Sequence, residues 1–265
     1  MDLTELLAFA RRLAQEGGRI AVKQFRRSLV RRKADGTLVT QTDEMIDRFI
    51  SDTITANYGD HMVLSEEQST RFDPAVPYSW VVDPVDGTTN FARGMPIWGI
   101  SVALLYEGAP LLGVVSFPLV REEFWAVRKQ GAWRSGVRIR TNGDGIPDDE
   151  HLLMKCTRTE RMFSLKTPLK SRMMGSAAYH LCKVADGTAL GAVENTPKVW
   201  DLAAAHLIVE EAGGLISDTG GAPIFPLPAV ARDYGAIAWQ TIAAASPALM
   251  AHVRTNLRPR QQPVA

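Results

Sequence analysis

Residues 80–89 have the sequence WVVDPVDGTT and form the most informative segment of the chain. The apolar run from Trp80 to Val82 predicts a buried strand, and two acidic residues, Asp83 and Asp86, follow at its end. Carboxylates held this close together raise one another's pKa and destabilise a fold when nothing neutralises them. A divalent cation removes that conflict, and Mg²⁺ prefers carboxylate oxygens, water and phosphate as ligands. The segment therefore predicts a strand that ends at a metal site.

The residues after the second aspartate suit the binding of an oxyanion. Gly87 lets the backbone approach a ligand closely, while Thr88 and Thr89 offer hydroxyl and amide donors. Beside a metal site, such donors indicate chemistry on a phosphate group.

Two further acidic positions strengthen this interpretation. Glu66 and Glu67 end another short apolar stretch, residues 62–64, and Asp201 opens an alanine-rich segment that predicts a helix. An isolated aspartate before a helix is most often only its N-cap. Taken alone, Asp201 is therefore compatible with both a capping role and a metal-binding role.

Four segments match one known family in their order and at similar spacings. They are SEE at 65–67, WVVDPVDGTTNF at 80–91, GSAA at 175–178 and WDLAAA at 200–205. With them the chain resembles the inositol monophosphatase family of lithium-sensitive, Mg²⁺-dependent phosphomonoesterases, from about Leu3 to about Val253. The resemblance implies an α/β (α+β) sandwich with layers in the order α-β-α-β-α. It also implies a homodimer and an active site between the two halves of the chain.

The resemblance assigns metal ligands residue by residue. Glu66, Asp83 and the carbonyl of Val85 match the ligands of a first Mg²⁺. Asp83, Asp86 and Asp201 match those of a second. A third, weaker ion is tied to Glu66 through water in the family, so that two to three Mg²⁺ per site are expected.

Catalytic groups are implied in the same way. Asp43 and Thr88 match the pair that orients and helps to deprotonate the attacking water, although an aspartate in the first turn of a helix is also favoured by the helix dipole. Glu67 matches an acid beside the metal ligands. The amides of Gly87 and Thr88 are expected to hold phosphate oxygens. Lys33 matches a lysine near the first metals, but it lies in a basic run and is also compatible with a solvated position.

Recognition of the alcohol part of the substrate is expected from the C-terminal half. Glu194 stands seven residues before Asp201, the family spacing of a glutamate that accepts hydrogen bonds from substrate hydroxyls. The small residues Gly175, Ser176 and Ala177 begin a predicted helix where the backbone can approach a sugar or inositol ring. Ser176 is equally compatible with a simple N-cap.

The composition is that of an ordinary globular enzyme. Apolar residues make up 46% of the 265 residues and charged residues 22%, and the net charge near +1 argues against a dedicated nucleic-acid binder. The two cysteines, Cys156 and Cys182, predict neither a disulfide framework nor a zinc site. Without a signal-peptide pattern or an apolar run of about 18 residues, the expectation is a cytoplasmic protein without membrane contact.

Hydrophobic periodicity predicts the main elements, and the family resemblance implies a division into halves. We expect amphipathic helices over 3–25 and 42–58, strands between 79 and 140, and alternating strands and helices from 152 to 217. We expect residues 1–145 to form an N-terminal α+β half with most metal ligands, and residues 146–258 to form a C-terminal α/β half with Asp201 and the substrate contacts. Residues 142–150 predict a solvated acidic turn, and residues 259–265 a disordered tail.

Several functions remain open at this point. Inositol 1-phosphate is the favoured substrate, with histidinol phosphate and fructose 1,6-bisphosphate as alternatives. Asn90-Phe91 resembles these branches more than the nucleotide phosphatases, which usually carry Lys-Glu-Phe. A regulatory member that binds RNA or protein is an alternative of another class, because nine basic residues and a single acid lie between Arg11 and Lys33. A solvated helix face explains that basic segment more simply, so nucleic acid is not the expected partner.

Overall fold

The computed structural model describes residues 2–34, 36–143 and 148–260. The helices of these residues are α1 (Leu3–Gln24), α2 (Gln41–Asn57), α3 (Thr88–Arg93), α4 (Thr157–Met162), α5 (Ala177–Ala185), α6 (Val199–Glu211) and α7 (Pro247–Asn256). The predicted helices over 3–25 and 42–58 correspond to α1 and α2. The second begins one residue earlier than predicted, because Thr40 and Asp43 cap it reciprocally.

A seven-stranded sheet forms the centre of the N-terminal half. In spatial order it is β10-β9-β8-β7-β6-β5-β3, and its neighbours run antiparallel except for the parallel pair β3 and β5. The strands are β3 (Met62–Ser65), β5 (Tyr78–Asp86), β6 (Gly99–Tyr106), β7 (Ala109–Phe117), β8 (Glu122–Val127), β9 (Gly131–Arg134) and β10 (Val137–Ile139).

A five-stranded mixed sheet forms the centre of the C-terminal half. Its order is β13-β11-β14-β17-β15, with β13, β11 and β14 parallel to one another. The strands are β11 (Leu152–Lys155), β13 (Lys170–Arg172), β14 (Gly191–Glu194), β15 (Leu215–Asp218) and β17 (Thr241–Ala244).

Three short two-stranded antiparallel pairs complete the strands of the described residues. They are β1 (Val30–Arg32) with β2 (Leu38–Thr40), β4 (Arg71–Phe72) with β16 (Arg232–Asp233), and β12 (Phe163–Leu165) with β18 (Leu257–Pro259).

The first layer is formed by α1 and α2, which cover one face of the seven-stranded sheet. Phe9, Ile46 and Ile50 share a fully buried apolar cluster with the sheet residues Trp80 and Ile100. A Cβ at position 17, which is glycine in the middle of α1, would lie 3.1 Å from Ile46. Gly17 therefore allows close packing of α1 on α2, whereas Gly18 faces Pro118. Helix α1 continues through both glycines without interruption.

The middle layer consists of α5 and α6, which lie between the two sheets. Leu181 of α5 and Ala204 of α6 belong to an apolar cluster that also holds Val115 of the large sheet and Ala243 of the smaller one. The helix approaches the large sheet closely, since a Cβ at Gly113 would lie 2.6 Å from the Cα of Ala204. The two halves thus share one continuous core.

The last layer is α7, which packs on the outer face of the five-stranded sheet. Leu249 and Val253 are buried with Leu153 and Ile242 in a separate apolar cluster. The layers follow the order helices, sheet, helices, sheet, helix, so the predicted α-β-α-β-α sandwich is confirmed. No helix among the described residues is long and apolar enough to cross a membrane.

Three predictions about the chain's organisation concern residues outside the described ranges or at their ends. The boundary between the halves, placed at 145 and 146, and the centre of the acidic turn lie outside the described residues. The predicted disordered tail begins too early, because Pro259 pairs with Phe163 in a strand and Arg260 forms an ion pair with Glu160. The backbone partners that order this segment come from β12, a strand that the sequence pattern did not predict.

Candidate active site

Strand β5 carries two carboxylates to the edge of the large sheet. Its pairing with β6 is regular up to Asp83, shifts there, and resumes at Asp86. Asp83 accepts a hydrogen bond of 2.9 Å from the amide of Val85, which fixes the turn of the chain around Pro84. Both aspartates are buried, with 1% and 4% of their surface exposed. The irregular end of this strand thus supplies two buried acids.

Asp201 brings a third carboxylate from the other half of the chain. It lies in the first turn of α6, where its Oδ2 accepts a 2.5 Å hydrogen bond from the amide of Lys198. Its ligand oxygen and one from each of Asp83 and Asp86 all lie within 4.8 Å of one another. The N-cap of α6 is therefore Lys198, and Asp201 is the N3 residue that accepts from its amide. The structure places Asp201 with the two other acids, and its binding of a metal remains a prediction.

Burial raises the proton affinity of all three carboxylates, and neighbouring acids add to it at Asp83 and Asp201. Burial raises the pKa of Asp83 well above its ordinary value, and the negative charges of Glu66, Asp201 and Asp86 add to the effect. Burial likewise raises the pKa of Asp201, and that of Asp86 to about 6. Within the described ranges, no lysine or arginine forms an ion pair with any of the three. A compact, buried set of oxygen donors in need of positive charge fits a hard divalent cation.

Glu66 and Glu67 follow β3 and share one cation from the chain itself. Lys33 places its Nζ 2.8 Å from Glu66 Oε1 and 2.5 Å from Glu67 Oε1. Burial alone lowers the pKa of Lys33, but the two glutamates outweigh it and raise that pKa. Burial and the charge of Glu66 raise the pKa of Glu67 to about 7. Asp47 supports this segment by accepting a 2.8 Å hydrogen bond from the amide of Glu67.

Thr88 and Asp43 form a hydroxyl–carboxylate pair beside these acids. The Thr88 hydroxyl lies 3.1 Å from Asp43 Oδ1 and 3.0 Å from the carbonyl of Val85, so that it can donate to either. Asp43 is held by the amide of Thr40 at 2.9 Å and also by its hydroxyl. Burial raises the pKa of Asp43 to about 6 against the lowering effect of the Thr40 hydrogen bonds. Such a carboxylate accepts a proton readily near neutral pH.

The segment at 175–178 supports Asp86 directly. Ser176 donates its hydroxyl hydrogen bond to Asp86, and the amides of Ala177 and Ala178 each donate to the same carboxylate at 3.1 Å. Ser176 is also the N-cap of α5, accepting from the amide of Tyr179. In this structure the Ser176 hydroxyl therefore bonds protein groups, and contact of this segment with a substrate remains a prediction.

Glu194 ends β14 and is buried, with 3% of its surface exposed. Its Oε1 lies 2.6 Å from Nδ1 of His180, a residue of α5 that sequence reasoning did not single out. Burial raises the pKa of Glu194 well above its ordinary value, while a hydrogen bond with the Cys156 thiol acts in the opposite direction. Burial lowers the pKa of His180 to about 4, so the imidazole is neutral at physiological pH.

Two adjoining cavities connect these groups. The larger, of about 570 Å³, is lined by Glu66, Asp83, Val85, Gly87, Thr88 and Asp201, and the smaller, of about 470 Å³, by Asp86, Ser176, Ala177 and Glu194. Gly175 lines both. Gly87 has φ +93°, and a Cβ there would lie 3.0 Å from the carbonyl of Ile97, so this turn requires glycine.

Cationic side chains also line the larger cavity. They are Arg32, Lys33, Arg93, Arg158 and Lys198, and Arg158 faces both cavities. Lys198 donates to the carbonyl of Gly235, and its Nζ lies 5.5 Å from the Trp200 ring centre. Sequence reasoning missed Arg93 and Arg158, because an isolated arginine carries no pattern that distinguishes a cavity wall from a solvated face. A cavity with acids at one part of its wall and cations at others suits a metal together with an anionic ligand.

Comparison with known proteins identifies the family. The sequence model of the inositol monophosphatase family matches residues 2–261. The chain belongs to the inositol monophosphatase family. It is 34% identical over 232 residues to the Nus factor SuhB of Pasteurella multocida, covering 83% of this chain and 87% of that protein. It is also 34% identical over 239 residues to an inositol monophosphatase of Mesembryanthemum crystallinum, covering 83% and 88%.

Solved structures agree with this assignment. The IMPase of Thermotoga maritima matches with a TM-score of 0.80 at 26% identity, covering 95% of this chain and 97% of that one. A staphylococcal IMPase complexed with products matches with a TM-score of 0.84 over 99% and 100% of the two chains, and at 19% identity it supports the fold alone. Inositol monophosphatase family proteins are phosphomonoesterases, and the chain is accordingly a phosphatase of this fold.

Proposed function

We propose that the protein is a Mg²⁺-dependent phosphomonoesterase that hydrolyses a small polyol or sugar phosphate, with inositol 1-phosphate as the first candidate. The observation that carries the proposal is the meeting of Asp83, Asp86 and Asp201 within 4.8 Å beside the Thr88–Asp43 pair. Family membership supplies the reaction class, and the acids and cations of the cavity support a metal and a phosphate as its occupants.

The residues present fit the metals that the family resemblance implies. Glu66, Asp83 and the carbonyl of Val85 would hold one Mg²⁺, and Asp83, Asp86 and Asp201 a second, with a third tied to Glu66 through water. Bound Mg²⁺ supplies Lewis-acid charge that lowers the pKa of water and stabilises negative charge on phosphate oxygens. The raised pKa values of the three aspartates support this fit, because a cation relieves their mutual repulsion.

The chain's own residues then position the reactants. The Thr88 hydroxyl and the Asp43 carboxylate orient the attacking water and accept its proton, which their 3.1 Å contact and the pKa of Asp43 near 6 support. The amides of Gly87 and Thr88 hold phosphate oxygens. Phosphoryl transfer needs little covalent help from a protein, so this positioning and the charges of Lys33 and the cavity arginines account for most of the protein's contribution.

The smaller cavity is proposed to receive the alcohol part of the substrate. Glu194 offers a carboxylate to its hydroxyl groups, and Gly175, Ser176 and Ala177 form the wall next to Asp86. Histidinol phosphate, fructose 1,6-bisphosphate and nucleotide phosphates are the competing substrates of the same chemistry. A substrate assay decides among them.

The experiment is a measurement of phosphate release with Mg²⁺ for five compounds. They are inositol 1-phosphate, histidinol phosphate, fructose 1,6-bisphosphate, NADP and 3′-phosphoadenosine 5′-phosphate. A single substrate with kcat/KM at or above about 10⁴ M⁻¹s⁻¹ identifies the activity. Inhibition of that turnover by millimolar Li⁺ would support the inositol phosphatase branch, and complete insensitivity to Li⁺ would contradict it.

A regulatory role is the second candidate, because one of the relatives at 34% identity bears the name Nus factor. The basic segment at 11–33 is the surface that such a role would use. Four of its nine cations are engaged by acids of this chain, Arg11 with Glu123, Arg19 with Glu16, Arg31 with Glu44, and Lys33 with Glu66 and Glu67. Salt-dependent RNA binding that survives Asp83→Asn would support this candidate.

A homodimer and a cytoplasmic location also remain predictions, of which gel filtration tests the first.

A further inference from the structure

His180 lies between the proposed acceptor of substrate hydroxyls and the loop that precedes α5. Its side chain is fully buried in the first turns of that helix. One ring nitrogen, Nδ1, lies 2.6 Å from Glu194 Oε1, and the other, Nε2, accepts a 2.8 Å hydrogen bond from the amide of Met174. Both nitrogens of the ring are therefore engaged by groups that line or border the smaller cavity.

These two contacts define the tautomer of the ring. Since the Met174 amide can only donate, Nε2 must carry a lone pair and the ring proton must sit on Nδ1. His180 consequently donates to Glu194 Oε1. Protonation of the ring would place a hydrogen on Nε2 against the Met174 amide, in agreement with the low pKa of about 4 that burial gives His180.

The contacts continue into the other half of the molecule. Asn90 donates through its Nδ2 to the carbonyl of Met174 at 2.6 Å and to that of Ile97 at 2.7 Å. Asn90 lies in α3, two residues after Thr88. A continuous path of hydrogen bonds thus runs from Glu194 through His180 and Met174 to the helix next to the proposed phosphate site.

We propose that His180 is a positioning residue that holds Glu194 for recognition of the substrate's hydroxyl groups and fixes it relative to the phosphate site. The inference rests on the proposed function, since it requires a polyol phosphate as substrate. A buried carboxylate without this donor would be free to change its rotamer or to take up a proton, and hydroxyl recognition depends on both its direction and its charge. His180 acts through Glu194 and does not touch the substrate.

Two conservative variants separate the contacts of the ring. In His180→Gln the side-chain amide reaches the position of Nε2, where its oxygen can accept the hydrogen bond from the Met174 amide. The group that donates to Glu194 is lost. In His180→Asn the side-chain amide lies at the position of Nδ1, where its nitrogen can donate to Glu194. The group that accepts from the Met174 amide is lost. Each leaves one buried partner unsatisfied, so their effects on overall stability should be similar. His206→Gln is the matched control, because His206 is a buried histidine that contacts Glu210 within α6 and lines neither cavity.

The assay compares inositol 1-phosphate with p-nitrophenyl phosphate, whose leaving group has no aliphatic hydroxyl. His180→Gln is expected to raise KM for inositol 1-phosphate about ten-fold or more, with KM for p-nitrophenyl phosphate within about two-fold of the wild type. His180→Asn should recover most of the affinity for inositol 1-phosphate. In a protein that already carries Glu194→Gln, His180→Gln should cause no further rise in KM for inositol 1-phosphate. The contact through which His180 acts is already altered there.

Other outcomes overturn the inference in distinguishable ways. Equal effects of His180→Gln on the two substrates, or no effect on inositol 1-phosphate, would show that the histidine serves only the fold, and the proposed phosphatase activity would stand. Wild-type turnover of p-nitrophenyl phosphate alone would refute polyol recognition by Glu194 and with it the role of His180. No turnover with Mg²⁺ of p-nitrophenyl phosphate or of any of the five compounds of the substrate assay would refute the proposed function itself.

Discussion

The hydroxyl group of Thr88 lies 3.1 Å from Oδ1 of Asp43 and joins the first residue of α3 to the first turn of α2. Thr88 lines the larger cavity, whereas Asp43 is completely buried. Asp43 is in turn held by the backbone amide and the hydroxyl of Thr40. The pair is thus fixed from the buried side and open to the cavity only through the threonine, an arrangement suited to the orientation of one water molecule.

Thr88→Ala should lower kcat about 10²- to 10³-fold with a small change in KM, because it removes a group that acts on the water and not on the substrate. Thr88→Ser keeps the hydroxyl and is the matched control, expected to retain most of the activity. Steady-state kinetics of phosphate release measures both. Equal loss in the alanine and serine variants would show that the methyl group, and hence packing, is what matters at this position.

Metal binding should release protons in mildly acidic solution. Burial and neighbouring acids raise the pKa of Asp83 and Asp201, and burial raises that of Asp86 to about 6, so part of this group is protonated near pH 6 without metal. Because Mg²⁺ binds the ionised forms, its affinity should rise as the pH increases from 5.5 to 8.

Titration calorimetry with Mg²⁺ in buffers of different ionisation enthalpy measures this proton release. At pH 6 we expect release of about one proton, and at pH 8 a smaller number. Asp201→Asn is expected to weaken binding and to reduce the number of protons released. A binding enthalpy at pH 6 that is the same in all buffers would contradict the raised proton affinity of the site.

Lys33 should stabilise the protein chiefly when metal is absent. Lys33→Met removes the ammonium that neutralises Glu66 and Glu67 and should lower the free energy of unfolding in EDTA by about 1–3 kcal/mol. The loss should be smaller in saturating Mg²⁺, which supplies positive charge to Glu66. Lys170→Met, which breaks an exposed pair with Glu150, is the control and should cost less than about 1 kcal/mol in either condition. If Lys33→Met lowered the free energy of unfolding equally with and without Mg²⁺, this result would argue against a metal near Glu66.

His180 should make the fold sensitive to acid. Burial lowers its pKa from 6.5 to about 4, so the unfolded chain takes up a proton at a higher pH than the folded one. The corresponding stability is fully present above pH 6.5 and is lost as the pH falls towards 4, by about 3 kcal/mol in total. The difference in unfolding free energy between the wild type and His180→Gln, measured with guanidinium, should therefore shrink over this range. A difference that stays constant from pH 7.5 to 4 would contradict a neutral, buried imidazole.

The sequence predicts the fold best where pattern and chemistry coincide. The apolar run before Asp83 forms β5 as predicted, because a strand buried on both faces leaves a continuous hydrophobic signal. The amphipathic pattern likewise identifies α1 and α2. By contrast, β12 and β18 pair across more than 90 residues, and nothing in their own short sequences specifies that partner. Tertiary pairing of this kind explains why the predicted tail begins too early.

The acids of the site could be predicted, but their supporting partners could not. Asp83, Asp86 and Asp201 belong to motifs with recognisable spacing, and the structure brings them together. His180 has no such signal, since its partner Glu194 is 14 residues away and only the packing of α5 on β14 joins the two. Ser176 was identified as a cap or a substrate contact, yet its donation to Asp86 depends on a residue 90 positions earlier.

The most direct test of the account is phosphate release by Asp83→Asn with Mg²⁺, on the substrate that the wild type turns over. Asp83 is placed to serve both metals, and the substitution keeps its volume, so kcat/KM should fall at least about 10³-fold while circular dichroism and unfolding remain native-like. Asp60→Asn, which alters an exposed aspartate outside both cavities, should retain full activity. Activity of Asp83→Asn near that of the wild type would contradict the metal-dependent phosphatase assignment.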